Sequence, residues 1–280
     1  MEKWMIVDGS NLLFQMFYGM PARITGRNGK AIQGTLGFVG ALLKMLRMVS
    51  PTHIAVLFDG ECANERRELD ADYKANRPDY SQMTEEDTPF SQLPDIFAAL
   101  TQMGIPFAET TDCEADDWIA GYAAALPETA ELVIASQDSD FFQLIGLRVS
   151  VLRYRGEHSL LCDAAYIREK LGIEPTQYAA YKSLTGDTAD NIRGAEKIGP
   201  KTAAELMRQF GTLDALLERS EEIRKPSVRR SVQVNPERLR RNYRLIALTG
   251  SPSLPFAPAD MVWQDSGITT TQVLQAIGLR

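Results

Sequence analysis

Apolar residues along this chain fall in short continuous runs that alternate with segments whose apolar positions recur every three or four residues. Residues 3–7, 53–58, 105–107 and 132–135 are such runs, bounded by polar or turn residues, the pattern of strands buried on both faces. Between them Leu36, Val39, Leu42, Leu43, Leu46 and Val49 repeat at helical spacing, and residues 12–20 and 94–103 carry a similar period. Residues 149–152, with Leu160 and Leu161, predict further pairing at a sheet edge. Strands alternating with helices imply an α/β fold, a mostly parallel central sheet flanked by helices. Two stretches break the pattern. Residues 60–92 hold few large aliphatics and many charges, too long for an ordinary connection, and read as a lid or as a disordered insertion. After about residue 163 the chain turns helical, over 164–171, 175–184, 200–209 and 269–279, with a proline-rich extended piece at 251–258. The expected organisation is an α/β core over residues 1–163, with an insertion at about 60–92, and a helical region over residues 164–280.

The polar residues that end these runs carry the chemistry. Two runs end in aspartate, Asp8 and Asp59, at the strand ends where open sheets place ligand-binding groups, although a helix cap explains Asp8 equally well locally. Asp138 and Asp140 follow the run 132–135, and Glu114, Asp116 and Asp117 open a helix on which Glu114 and Asp117 share a face. Five carboxylates within the 27 residues 114–140 would repel one another in a common pocket. Either they diverge into water, as a helix start allows through its dipole, or cations hold them together. Asp187 and Asp190 stand in the glycine-punctuated run 186–202. There Lys197 and Lys201 flank turns whose backbone N–H groups suit a phosphodiester backbone, a plain helix connection being the alternative. Residues 224–244 hold eight basic residues and one acidic, which read either as a solvated helix face, the usual meaning of such a run, or as a phosphate-contacting surface.

The formal charge of -7 over 280 residues argues weakly against a polyanionic partner. Of 37 acidic residues, the nine named above leave 28 against 30 basic ones, a near-neutral remainder. Three scattered cysteines (Cys62, Cys113, Cys162) argue for a reducing cytoplasm and against a thiolate metal site. The first apolar run is too short for a signal peptide, and residues 36–49 are interrupted by Lys44 and Arg47, so no membrane association is expected. No Gly-x-Gly-x-x-Gly follows the first strand, which counts against a dinucleotide fold.

Six motifs in order then resemble one family. They are Val7-Asp8-Gly9-Ser10-Asn11-Leu12, Phe58-Asp59, Tyr73-Lys74-Ala75-Asn76-Arg77, Glu114-Ala115-Asp116-Asp117, Asp138-Ser139-Asp140, and Gly186-Asp187 through Asp190-Asn191 and Gly194 to Ile198-Gly199-Pro200-Lys201-Thr202. Together they resemble the structure-specific 5′ nucleases, that is, flap endonucleases and the 5′-to-3′ exonuclease domain of bacterial DNA polymerase I. The resemblance implies a PIN-like 5′ nuclease fold, a helix-two-turn-helix at about 175–209 that grips duplex DNA, and an arch at 60–92 that passes a 5′ single strand. It implies two Mg²⁺ or Mn²⁺ ions. Asp8, Asp59, Glu114 and Asp116 would serve one, Asp138, Asp140, Asp187 and Asp190 the other, and Asp117 would stand close by as a catalytic residue. A K⁺ ion would sit on carbonyls of the helix-two-turn-helix. Lys74 and Arg77 would contact the scissile phosphate, and Arg66, Gly194, Lys197, Gly199, Lys201 and Thr202 the DNA. One position departs: where related nucleases generally carry a basic residue, this chain has Gln15, whose amide can bond phosphate but adds no charge. The implied activity is 5′-3′ exonuclease and flap endonuclease hydrolysis of flapped, nicked or branched DNA in replication and repair, by a cytoplasmic monomer. The chain's end at Arg280 adds the expectation of a stand-alone nuclease. Two alternatives stand beside it: a non-catalytic or weakly active DNA-structure-binding paralogue, and a PIN-type ribonuclease. Asp187 and Asp190 weigh against the first, and residues 175–209 against the second.

Overall fold

A computed structural model describes residues 1–20, 22–27, 29–60, 65–80, 83–84, 87–249 and 253–280; Cys62, parts of the 60–92 insertion and the start of 251–258 lie outside them. The chain opens with β1 (Glu2–Asp8), which runs straight into α1 (Gly9–Gly19) because the Asp8 carboxylate caps the helix by accepting from Asn11 N. After α2 (Gln33–Val49) comes β2 (His53–Phe58), and the insertion then carries α3 (Glu65–Leu69). Next come α4 (Leu93–Gln102), β3 (Phe107–Glu109), α5 (Ala115–Ala124), β4 (Ala130–Ala135), β5 (Val149–Arg153) and β6 (Leu160–Cys162).

The sheet order is β3-β2-β1-β4-β5-β6, parallel except for the antiparallel edge strand β6. The chain builds outward from β1 to β2 and β3, then crosses through α5 to the other side of β1. The crevice between the carboxyl ends of β1 and β4 is therefore a topological switch point, where open α/β sheets bind their ligands. Alternation along the strands sorts the core. Trp4, Ile6, Ala55, Leu57, Leu132 and Ile134 pack on one face with Trp118, Ile119 and Tyr122 of α5, while Met5, Val7, Ile54, Val56, Val133 and Ala135 pack on the other against α1, α2 and α4.

Beyond the sheet lie α6 (Ala164–Leu171), α7 (Tyr178–Thr185), a two-stranded hairpin of β7 (Gly186–Asp187) and β8 (Ile192–Arg193), and α8 (Pro200–Phe210). Then follow α9 (Leu213–Glu218), α10 (Pro226–Val234), α11 (Pro236–Ile246) and α12 (Thr270–Ala276). The apolar faces of α6 to α11 continue the layer on the α5 side of the sheet, where Leu184, Leu206, Phe210, Val228 and Leu239 join Phe141 and Ile167, whereas Val273 of α12 joins the opposite layer with α2 and α4.

Two local expectations are corrected. The third strand is Phe107–Glu109 rather than 105–107, because the Ile105 amide closes the end of α4 on Leu100 O and Pro106 has no N–H to give a ladder. The segment after Asp138 is a short 3₁₀ helix, Asp140–Leu144. The run 186–202 contains the β7–β8 hairpin in place of a plain linker, and glycine is needed at two points of it. A Cβ at Gly186 would lie 2.5 Å from Gly194 N, and one at Gly194 would lie 2.4 Å from Thr185 C.

Candidate metal centre and nucleic-acid interface

The carboxyl ends of β1, β2 and β4 bring the acidic residues together. Asp8 is buried, and while Oδ1 caps α1, Oδ2 accepts a 2.8 Å bond from Ser136 Oγ, just beyond β4. Asp59 follows β2 and accepts from Ala115 N at 2.9 Å, so it is held against the first turn of α5. On that turn the three acids part company. Asp116 faces Asp138, Asp8 and Asp59, while Glu114 and Asp117 point at cations.

Burial and mutual repulsion mark the inward group. Burial, then the charge of Asp59, pushes Asp8 up to about 7. Burial and the charges of Asp138, Asp8 and Asp59 raise Asp116 well above the carboxylate range. Asp138 is raised by burial, with partial relief from the Asp140 N–H. Burial and then Asp138 push Asp140 up to about 7.

A second group adjoins the first. Asp140, Asp187 and Asp190 place carboxylate oxygens within 4.8 Å of one another, the one such set of potential ligands among the described residues. Asp187 and Asp190 come from the β7–β8 hairpin, and Ala189 N donates to Asp187 Oδ1 at 2.8 Å. Asp140 Oδ1 is buried without a hydrogen-bond partner. Oxygen-only donors, one of them unmatched and raised by burial and by Asp138, are the kind of set that suits a hard divalent cation. Neither His nor Cys joins the Asp140 set.

Sequence reading missed Lys182 here. From the last turn of α7 its ammonium bonds Asp187 and stands 3.8 Å from Asp140 Oδ1. Burial would depress its pKa, but Asp140 and Asp187 outweigh burial and raise it, while the same contact lowers Asp187 against its own burial. Its position five residues before Asp187 was visible, but the pairing depends on the turn of the chain at Gly186.

The insertion supplies the cations. Lys74 Nζ bonds Glu114 Oε1 at 2.7 Å, and Arg77 Nη2 bonds Asp190 Oδ1 at 2.9 Å. Burial would depress the Lys74 ammonium, but Glu114, Asp116 and Asp190 overcome it and raise its pKa. Lys74 adopts φ 57°, and three bonds fasten its turn to the hairpin: Lys74 N to Asp190 O, Asn76 Nδ2 to Thr188 O and Asn191 Nδ2 to Asp72 O.

Two residues expected at DNA have other partners. The Arg66 side chain is only 11% exposed and bridges Glu114 Oε2 at 2.6 Å and Asp117 Oδ1 at 2.7 Å, because two acids on one helix face need a counter-ion where α3 covers them. Gln15 turns its amide to the Tyr154 carbonyl at 2.8 Å, holding the end of β5. Asp117 also accepts from Glu114 N, so its carboxylate closes the helix start and pairs with Arg66. Across the hairpin, Lys197 (φ 61°) and Lys201 are exposed at the N-terminal end of α8, with Gly199 its N-cap, Thr202 half-buried in the first turn and Gly194 at the crossing with α7.

A family model described as 5′-3′ exonuclease, N-terminal resolvase-like domain, matches residues 3–172, and one described as 5′-3′ exonuclease, C-terminal SAM fold, matches residues 173–267. DNA polymerase I of Rhizobium leguminosarum is 36% identical over 251 residues, covering 87% of this chain and 24% of that protein. The chain spans about a quarter of the length of the polymerases it matches. The 5′-3′ exonuclease of Aquifex aeolicus is 28% identical over 262 residues, covering 93% of this chain and 86% of that protein. Among solved structures, the T5 5′-exonuclease with bound zinc ions superposes with a TM-score of 0.73 at 26% identity, over 88% of this chain and 90% of that one. A bacteriophage T5 flap endonuclease in a pseudo-enzyme-product complex with DNA and metal ions gives 0.72 at 26% identity, over 88% and 89%.

Proposed function

The chain belongs to the 5′-3′ exonuclease family, and from that membership we propose that it is a structure-specific 5′ nuclease that hydrolyses phosphodiesters of flapped, nicked or branched DNA. The observation that carries this reading is the convergence of Asp8, Asp59, Asp116 and Asp138 beside Asp140, Asp187 and Asp190, under Lys74 and Arg77. Carboxylates so crowded are a standing cost without cations.

Asp8, Asp59, Asp116 and Asp138 would hold one divalent ion, and Asp140, Asp187 and Asp190 a second, with Mg²⁺ or Mn²⁺ the fitting hard ions. Such ions, when bound, supply a water of lowered pKa and neutralise charge on the phosphate oxygens. Glu114 acts one step back, since Arg66, Lys74 and Tyr73 occupy its carboxylate and through it Lys74 is aimed into the cleft. Lys74 and Arg77 then balance the negative charge that builds on the phosphate. Asp117 is a positioning residue, fixing Arg66 and the start of α5. Residues 164–280, with Lys197, Lys201 and the exposed arginines of α10 and α11, would grip the duplex, with K⁺ on carbonyls near Gly194–Gly199. We place the activity in the cytoplasm; among the described residues no helix is long and apolar enough to cross a membrane.

The test is cleavage of labelled 5′-flap, nicked, overhang and single-stranded DNA, and of matched RNA flaps. Mg²⁺-dependent release of 5′-phosphate products is expected from DNA flaps. Asp116→Ala should lower the rate by more than about a thousandfold while duplex binding persists. Cleavage that survives EDTA, or full activity in Asp116→Ala, would remove the metal-dependent reading, and a preference for RNA would favour the ribonuclease one.

A further inference from the structure

Beside Arg77 lies a cluster of rings that the acidic centre does not use. Phe14 and Tyr18 stand one helical turn apart on α1, with ring centroids 6.2 Å apart. Tyr80, three residues after Arg77, and Phe90, where the insertion returns to the core, meet the Phe14 ring edge-on at 5.9 Å and 5.7 Å. Tyr80 and Phe90 are perpendicular at 5.3 Å, and Tyr18 Oη donates to Tyr80 Oη at 3.3 Å. Phe14 is thus a half-buried hub, and the rings around it are locked against one another. Yet Tyr18 is 56% exposed and Phe90 43% exposed. Rings that served only to anchor the insertion would be buried. These are pre-positioned, and they leave aromatic surface in water.

The neighbours say what such a surface fits. The Arg77 guanidinium is close enough to Tyr80 to oppose the upward push that burial and Tyr18 exert on its phenol, and it also bonds Asp190 at 2.9 Å. Aromatic surface therefore adjoins a cation that stands over the acidic centre. At ~1.5 Å per residue along α1, Tyr18 lies ~15 Å from Asp8. A single strand with its phosphate at Arg77 would carry its next bases toward the rings, and stacking accepts any base because every base has a π-face. We propose that Tyr18 and Phe90 form a stacking platform for unpaired bases of a 5′ single-stranded DNA segment, a subsite beside Arg77. This rests on the reading of the chain as a 5′ nuclease.

The experiment uses the full chain in EDTA and a nicked duplex whose 5′ DNA flap carries 2-aminopurine at successive positions. Wild-type protein should quench the probe at one or two flap positions. A Tyr18→Ala/Phe90→Ala double variant should lose that quenching and bind flapped DNA about tenfold more weakly, relative to the same duplex without a flap. A Tyr18→Leu/Phe90→Leu pair keeps the apolar bulk and should lose the quenching as well, whereas Tyr18→Phe should retain it. Quenching that persists in the leucine pair, or equal losses with and without the flap, would overturn the platform. Wild-type protein that cuts the flap in Mg²⁺ with no quenching anywhere would overturn the platform alone. Quenching without cleavage in Mg²⁺ would support the platform and overturn the nuclease reading.

Discussion

Asp8 shows how one side chain is both scaffold and function. Its two oxygens cap α1 and tie β1 to Ser136, so the sheet's switch point depends on it structurally. Its charge, however, is opposed by burial and by Asp59, which push its pKa to about 7. A carboxyl raised in the folded state binds more protons folded than unfolded, so its contribution to stability is present below about pH 4 and is lost as pH rises toward 7. Asp8→Asn keeps the acceptor for Asn11 N and removes the charge. In EDTA the variant should therefore gain stability over wild type by more than about 1 kcal/mol at pH 8, the value of one pKa unit, and nothing at pH 4. Saturating Mg²⁺ should erase or reverse the gain. Urea unfolding at the two pH values reads this directly, and a gain as large at pH 4 would disprove a charge origin. The acids themselves were legible because strand ends advertise them. Their partners were not: Arg66 and Lys182 are ordinary basic residues along the chain, and only packing shows which carboxylates they neutralise.

The elements divide the same way. Long strands and helices were visible because burial forces an apolar period, as β2 and α2 show. The β7–β8 hairpin was not, since backbone hydrogen bonds define it with little apolar signature. Its precision nevertheless matters, because the turn bearing Lys74 and Arg77 is fastened to it. Asn191 sits at φ 58° and spends its amide on the Asp72 carbonyl. Asn191→Ala should lose the bond and meet the left-handed penalty, costing about 1–2 kcal/mol, whereas Asn191→Gly should lose only the bond. Loosening the turn should also slow single-turnover cleavage about tenfold in the alanine variant. Thermal unfolding and quenched-flow rates on one flap substrate would measure both. Identical behaviour of the two variants would mean that the strained turn does not position Lys74.

At the scale of the molecule the question is how a chain of charge -7 would hold a polyanion. The clustered acids gather at the switch point with Lys74, Arg77 and Lys182 among them, and on the helical side Lys197, Lys201, Arg224, Lys225, Arg230 and Arg244 stand exposed between exposed acids such as Glu205, Glu218 and Glu221. Attraction would then come from discrete ammonium–phosphate and guanidinium–phosphate pairs and not from the overall field, and each pair should appear as released counter-ions. Lys197→Gln/Lys201→Gln should flatten the slope of log affinity against log salt by about 1.8 on a duplex lacking a flap, roughly 0.9 for each phosphate no longer neutralised. Binding should weaken alike on unrelated sequences, because the backbone N–H groups and ammonium groups around α8 meet phosphate and not base edges. Fluorescence anisotropy from low to moderate salt in EDTA, with Asp116→Ala as the background, separates this from catalysis. An unchanged slope would move the duplex off the 194–202 turn and onto α10 and α11, where Arg230→Gln and Arg244→Gln should then carry the salt dependence instead.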